Sequence, residues 1–152
     1  MARDALTVRT VLGPVRISYN TRGVTGIHLG GAGPSNPAAP LFVCRFAAQL
    51  QRYAAGKEVR FRVPVTLLTG TAFQRQVWTA LRRIPYGETR TYSWLARQVK
   101  RPRAVRAAGA ACGANPLPIL VPCHRILRTD GSLGGFSAGL PWKRKLLALE
   151  AR

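Results

Sequence analysis

The chain has 152 residues, 47% of them hydrophobic and 19% charged, which excludes a disordered polymer and leaves length for one domain or two small ones, each with a core. Its 24 lysines and arginines against 5 acids give a net charge of +19, a field that gathers polyanions, with DNA or RNA the leading partner even if a GC-rich genome's arginine codons supply part of it. No apolar run approaches the ~18 residues of a membrane span, Met1-Ala2-Arg3-Asp4 starts no signal peptide, and Cys44, Cys112 and Cys123 match neither a zinc spacing nor a disulfide framework, so a reducing cytoplasm and no metal are expected.

Leu6 to Leu12 alternates as a strand, Gly13-Pro14 turns the chain, and Val15 to Tyr19 and Val24 to Leu29 read as two more strands. His28 has no partner histidine or acid nearby and reads as a strand residue, not a ligand. Gly30 to Pro40 is a loop by composition. Leu41 to Ala55 is a helix closed by Gly56, with an inner stripe of Leu41, Cys44, Leu50 and Tyr53 joined by Phe42, Phe46 and Ala54, so Cys44 reads as core. Val59 to Val65 is strand-like and leads to a linker near Thr69-Gly70. Residues 1–67 thus form an α/β support domain without visible chemistry, and residues 68–152 a second domain. The second carries the greater charge: 15 basic and 3 acidic side chains (+12) against 9 and 2 (+7) in the first.

Thr71 can cap a helix whose Phe73, Val77, Leu81 and Ile84 share a stripe flanked by Trp78, ending at Pro85-Tyr86-Gly87. Thr91 to Val99, a basic turn at Lys100-Arg101-Pro102, and Arg103 to Ala114 have the proportions of a helix-turn-helix. In the last of these helices Val105, Ala108, Gly109 and Cys112 face inward, while Arg103, Arg106, Ala107, Ala110 and Ala114 face the other way. Major-groove readers carry several long polar side chains for base edges, and beyond Arg103 and Arg106 this face has none. Small residues and arginines suit minor-groove entry; an alanine-rich helix buried on both sides is the alternative. The expected fold is therefore α/β (α+β): a small amino-terminal strand-rich module with one helix, followed by a mainly helical carboxy-terminal domain containing a helix-turn-helix.

Asn115 to Ile126 reads Asn-Pro-Leu-Pro-Ile-Leu-Val-Pro-Cys-His-Arg-Ile, an apolar run expected to form a buried strand that delivers Cys123 and His124 to the rim of the core. A thiol attacks as thiolate and histidine is its usual base, yet neighbours on a strand point to opposite faces, so contact needs a bend after Pro122 or a bridging water. A buried core cysteine is the plain alternative. Only two histidines and five acids exist; His124 adjoins Cys123, and Glu150, at the end of the last helix, can return to orient it. The glycine-rich stretch 128–139 lacks a phosphate-loop ending. Pro141 opens the final helix, with Trp142, Leu146 and Leu149 inward and Lys143, Arg144 and Lys145 outward or toward DNA.

Together with Phe73-Gln74-Arg75-Gln76-Val77-Trp78, Ile84-Pro85-Tyr86-Gly87-Glu88-Thr89 and Gly131-Ser132-Leu133-Gly134-Gly135-Phe136-Ser137, the Pro-Cys-His-Arg segment closely resembles the O6-alkylguanine-DNA alkyltransferase family over roughly residues 62–150. The resemblance implies single-turnover DNA repair. By this resemblance Cys123 is expected to accept the alkyl group from O6-alkylguanine, and also from O4-methylthymine, after the nucleotide is flipped. His124 acts as base through a water, Glu150 orients it, and Asn115 holds the water and shapes the turn. Tyr92 donates to the leaving guanine, Ser137 lies near O6, and the carbonyls around Cys123 and Ile126 accept from the base's amine. Residues 68–152 become the DNA-binding and alkyl-acceptor domain, with Tyr92, Ser93, Arg101, Arg103, Arg106 and Thr129 toward DNA. Arg106 fills the vacated stack or, alternatively, contacts a phosphate. The partner implied is double-stranded DNA with alkylated guanine, met through the minor groove by a monomer without cofactor or membrane. Phe136 stands where relatives often have tyrosine, and the zinc-binding residues of some relatives have no counterpart. A catalytically silent lesion binder of the same fold, a helix-turn-helix regulator and a cysteine hydrolase are the competing readings.

Overall fold

The computed structural model describes residues 4–152, which fall into two compact units divided after Leu68.

In the first unit, β1 (Asp4–Thr10), β2 (Gly13–Tyr19) and β3 (Val24–Leu29) form an antiparallel sheet in sequence order. Register is set by a hydrophobic ladder: Val15 sits opposite Val8 and Leu29, and Ile17 opposite Leu6 and Ile27. Alternation along β2 buries Val15, Ile17 and Tyr19 on one face, as period-2 geometry requires. His28 is exposed on β3.

Helix α1 (Leu41–Ala54) packs against β1 and β2 through Val43, Phe46, Ala47, Leu50, Tyr53 and Ala54. The stripe is rotated from the sequence expectation: Val43 and Ala47 belong to it, while Leu41 and Cys44 are exposed. Cys44 is therefore not core. Nor does the segment 59–65 form the expected strand. Its Phe61 ring packs edge-on to Phe46 and tilted on Tyr53, both at 5.7 Å, so side-chain burial takes the place of a ladder. Pro64 has no N–H to donate, and pairing shrinks to one parallel bridge of Val65 with Val24. There the chains pass so close that a Cβ on Gly23 would lie 2.7 Å from the Pro64 carbonyl oxygen.

In the second unit, α2 (Ala72–Leu81) begins in a reciprocal cap: Thr71 Oγ1 accepts from the Gln74 amide at 3.1 Å, and Gln74 Oε1 from the Thr71 amide at 2.9 Å. Such a cap contributes about 1 kcal/mol. The helix ends at Leu81, four residues short of the proline. Pro85 disfavours helical backbone at Ile84, so the chain leaves through tighter bonds from Arg83 to Ala80 and Ile84 to Leu81. Trp78 is buried rather than flanking, and its indole N–H donates to the Ala111 carbonyl at 2.8 Å.

A two-residue strand, β4 (Arg90–Thr91), leads into α3 (Tyr92–Gln98), capped by Thr91 on the Trp94 amide at 3.0 Å. After a turn with Lys100 at φ 60°, α4 (Val105–Gly113) follows, and α2, α3 and α4 pack on one another. Helix α4 starts two residues later than expected, so Arg103 sits in the turn. Its buried residues are Ala108, Ala111 and Cys112, whereas Val105 and Gly109 are only half-buried.

Residues 115–122 do not make the expected buried strand. Pro116, Pro118 and Pro122 lack amide donors, and only a single Pro118–Val121 bridge remains. Asn115 replaces the ladder: its Nδ2 donates to the Val121 carbonyl at 2.8 Å and its Oδ1 accepts from the Leu117 amide at 3.0 Å. A single 3-10 turn, Cys123–Arg125, follows Pro122, and β5 (Ile126–Leu127) pairs in parallel with β4. Helix α5 (Leu140–Glu150) buries Trp142, Leu146 and Leu149, and with them Lys143 and Glu150. No helix of the described residues is long and apolar enough to cross a membrane.

Candidate active site

The turn after Pro122 supplies the bend that a straight strand would not, and it leaves Cys123 5% exposed at the wall of a cavity of about 560 Å³. Tyr92 from α3, Val105, Arg106, Gly109 and Cys112 from α4, and Gly135, Phe136 and Ser137 from the glycine-rich loop line the same space. That volume is in the range of small-molecule pockets and accommodates a purine.

Behind Cys123 lies a buried ionic cluster. His124 is fully buried; its Nε2 meets Glu150 Oε2 at 2.7 Å. Glu150 also accepts from Arg125, Nε to Oε1 at 2.7 Å and Nη2 to Oε2 at 3.0 Å, while Arg125 Nη1 donates to the Ile84 carbonyl at 2.7 Å. A carboxylate accepts only, so Nε2 carries the proton toward Glu150 and Nδ1 is the basic nitrogen of the neutral ring. Among the described residues Nδ1 has no hydrogen-bond partner. Burial holds His124 below the usual imidazole range against the opposing pull of Glu150, which keeps the ring neutral and ready to take a proton.

The Cys123 thiol is also held below its ordinary value. The main cause is a hydrogen bond from Cys112; burial opposes it, and the Asn115 side chain and the Lys143 charge add to it. The proton accordingly stays on Cys112, which is raised. Alkylation of Cys123 by iodoacetamide, followed against pH by peptide mass, is expected to have its midpoint below that of an ordinary free thiol. Because the thiolate is the reactive form, the rate falls as pH drops through that midpoint. Cys112→Ala moves the midpoint up; an unmoved midpoint would show that the thiol pair carries none of the shift.

Lys143, expected to face outward, is buried, and its ammonium reaches the carbonyls of Ile126 (2.7 Å), Leu133 and Gly135 (3.2 Å). Three carbonyls satisfy the three donors of the ammonium, which permits its burial and ties α5 to the glycine-rich loop. Ile126 is itself fully buried and its carbonyl accepts from Lys143, which leaves that oxygen a second lone pair. Gly134 lets that loop close on Tyr92, since a Cβ there would lie 2.8 Å from the phenol oxygen. Burial raises the Tyr92 phenol, so it stays protonated and able to donate.

The structure thus gathers Cys123, Tyr92, Arg106 and Ser137 around one cavity, with His124, Glu150 and Asn115 in the layer behind. Ser93, Arg101, Arg103 and Thr129 lie outside the lining; Arg101, Arg103 and Thr129 are exposed and Ser93 half-buried, and the Arg101 guanidinium stacks over Phe73 at 5.8 Å. Sequence reasoning missed Arg125 as the second partner of Glu150, and Lys143. A signal for Lys143 existed in its spacing, three before Leu146 and seven before Glu150, which is one helix face.

Fold and site together define a helix-turn-helix protein whose second helix flanks a cavity with an acidified thiol in its wall. The profile of the family "6-O-methylguanine DNA methyltransferase, DNA binding domain" matches residues 72–152. A methylated-DNA–protein-cysteine methyltransferase of Methanosarcina barkeri is 39% identical over 149 residues, 94% of each chain. The inducible methylated-DNA–protein-cysteine methyltransferase of Bacillus subtilis is 50% identical over 107 residues, 70% of this chain but 59% of that relative's length. A Mycobacterium tuberculosis OGT solved in complex with DNA superposes with TM-score 0.86 at 37% identity, covering 97% of this chain and 92% of the other. The chain belongs to the methylated-DNA–protein-cysteine methyltransferase family.

Proposed function

We propose that the protein repairs DNA by moving the alkyl group of O6-alkylguanine, and of O4-methylthymine, onto its own Cys123, once per molecule. The observation that carries this reading is the placement of an acidified Cys123 in the wall of a purine-sized cavity beside α4, backed by the His124–Glu150 pair.

The chemistry follows from those positions. His124 Nδ1 takes the Cys123 proton, through a water as the relay, while Glu150 holds the ring and balances its charge. Sulfur attacks the alkyl carbon in line; the C–S bond forms as the C–O bond breaks. Charge develops on the departing guanine, and the protonated Tyr92 donates to it, with Ser137 near O6. The thioether has no good leaving group, so the sulfur is not released and turnover stops at one.

A base within a duplex cannot reach a wall of this kind, so the nucleotide is everted at a cost of a few kcal/mol. Helix α4 approaches the minor groove with its face of alanines, Arg106 at the cavity edge takes the vacated place, and Ser93, Arg101, Arg103 and Thr129 meet the backbone. The protein works as a monomer in the cytoplasm without a cofactor. Arg106→Ala, and less so Arg106→Lys, should slow repair of lesion-bearing duplex by on the order of tenfold or more relative to single strand. A duplex penalty no larger than the single-strand penalty defeats the wedge role.

The function itself is tested by incubating the protein with O6-methylguanine duplex and taking intact and peptide masses. One methyl per chain, on the Cys123 peptide, with no further turnover, is expected. An unmodified protein that still binds the lesion would make it a silent binder.

A further inference from the structure

Cys112 is a second thiol at the cavity wall; the transfer described above uses it to acidify Cys123 but puts no alkyl group on it. It is 5% exposed on the inner side of α4, as buried as Cys123, and its Sγ stands 3.8 Å from the Cys123 carbonyl oxygen. Both cysteines border the same cavity. A low-lying thiolate is the species that peroxides oxidise, and a sulfenic acid with a thiol beside it condenses before it is oxidised further. A lone buried sulfur, by contrast, climbs to acids that thiol reductants cannot reverse.

We propose that Cys112 and Cys123 are a disulfide-forming pair for peroxide-class oxidants, in which Cys112 resolves the oxidised acceptor and keeps it recoverable. The Cys123 thiolate attacks one peroxide oxygen; an S–O bond forms, the O–O bond breaks, and hydroxide leaves. The Cys112 sulfur then attacks the Cys123 sulfur; the S–S bond forms, the S–O bond breaks, and the departing oxygen takes the Cys112 proton as water. Two thiols are oxidised to one disulfide and one peroxide is reduced to two waters. The bridge occupies the sulfur that would receive an alkyl group, so transfer stops until a thiol reductant restores it. That consequence rests on the acceptor role proposed above; the crosslink itself does not.

The test uses the full chain with Cys44→Ser, which removes the exposed thiol of the other unit and with it intermolecular coupling. After hydrogen peroxide, intact mass should fall by two hydrogens, non-reduced peptides should join Cys112 to Cys123, and dithiothreitol should restore both the mass and methyl transfer. With Cys112→Ala or Cys112→Ser added, the Cys123 peptide should instead gain two or three oxygens, and dithiothreitol should not restore transfer. Oxygen gain without a bridge in the Cys44→Ser chain, or full recovery of both Cys112 variants, overturns the proposal. Were transfer absent before oxidation, the repair function would fail while the bridge remained readable by mass.

Discussion

Cys123→Ala abolishes methyl transfer, while binding to O6-methylguanine duplex stays within about threefold of the parent, or roughly 0.7 kcal/mol. The two quantities separate because they reside on different atoms. On the proposed function the sulfur makes the bond, the groove contacts belong to α4 and the turn before it, and the base enters the cavity lined by Tyr92, Gly135, Phe136 and Ser137. Losing Sγ also leaves the backbone of the site intact. Alanine loses the thiol–thiol interaction with Cys112 but keeps the carbonyl oxygen that lies 3.8 Å from Cys112 Sγ, and the His124–Glu150 pair is independent of the thiol. The measurement is a gel shift beside a peptide mass map. Methyl found on the Cys112 peptide would move the acceptor to the other sulfur, and loss of binding with a lowered melting temperature would mean the substitution had damaged the fold.

Glu150→Ala should cost more stability than any change at the cavity surface. It strands the Arg125 guanidinium, whose side chain is 11% exposed, and removes the partner of a fully buried imidazole. Breaking a buried pair from one side costs about 3–5 kcal/mol, because the remaining charge stays desolvated and unpaired. For a unit of this size that lowers the melting temperature by more than about 10 °C. Glu150→Gln separates scaffold from chemistry. The amide keeps the volume and can still accept from Arg125, so less stability is lost, but it cannot balance a charged imidazole. Transfer to Cys123 should slow by about 10²–10⁴-fold. A Glu150→Gln variant with the parent's rate would remove the acid from the mechanism and leave it a purely structural pair.

The Cys123, His124 and Glu150 cluster was legible because its residue types are scarce in this chain. Two histidines and five acids leave few pairings, and the one that follows the only cysteine with an adjacent histidine is the pair seen at 2.7 Å. Helices were legible from stripes and, for α2, from its cap, since Thr71 accepts the amide bond expected of it; Thr91, read as the first helical residue, turns out to cap α3. What escaped were places where one side chain overrides a local pattern. The apolar run before Cys123 satisfies strand periodicity, yet three prolines empty its ladder and Asn115 closes it as a turn. Lys143 lies on the inner face by spacing, and its charge argued for solvent. Only the distant carbonyls of Leu133 and Gly135, which no local window contains, make burial affordable. Cys44 erred in the other direction, since a helix stripe can rotate by one position without changing its composition.

The outer surface of α4 has a consequence for how damage is found. If α4 enters the groove as proposed, its alanines offer few of the long polar arms that read base edges, so one address in a genome is favoured little over another. Every base pair is an equal candidate, so the time to first repair scales with the length of DNA to be inspected. On that reading a charge of +19 would hold the molecule near the duplex between candidates, and the hold would weaken as ionic strength rises.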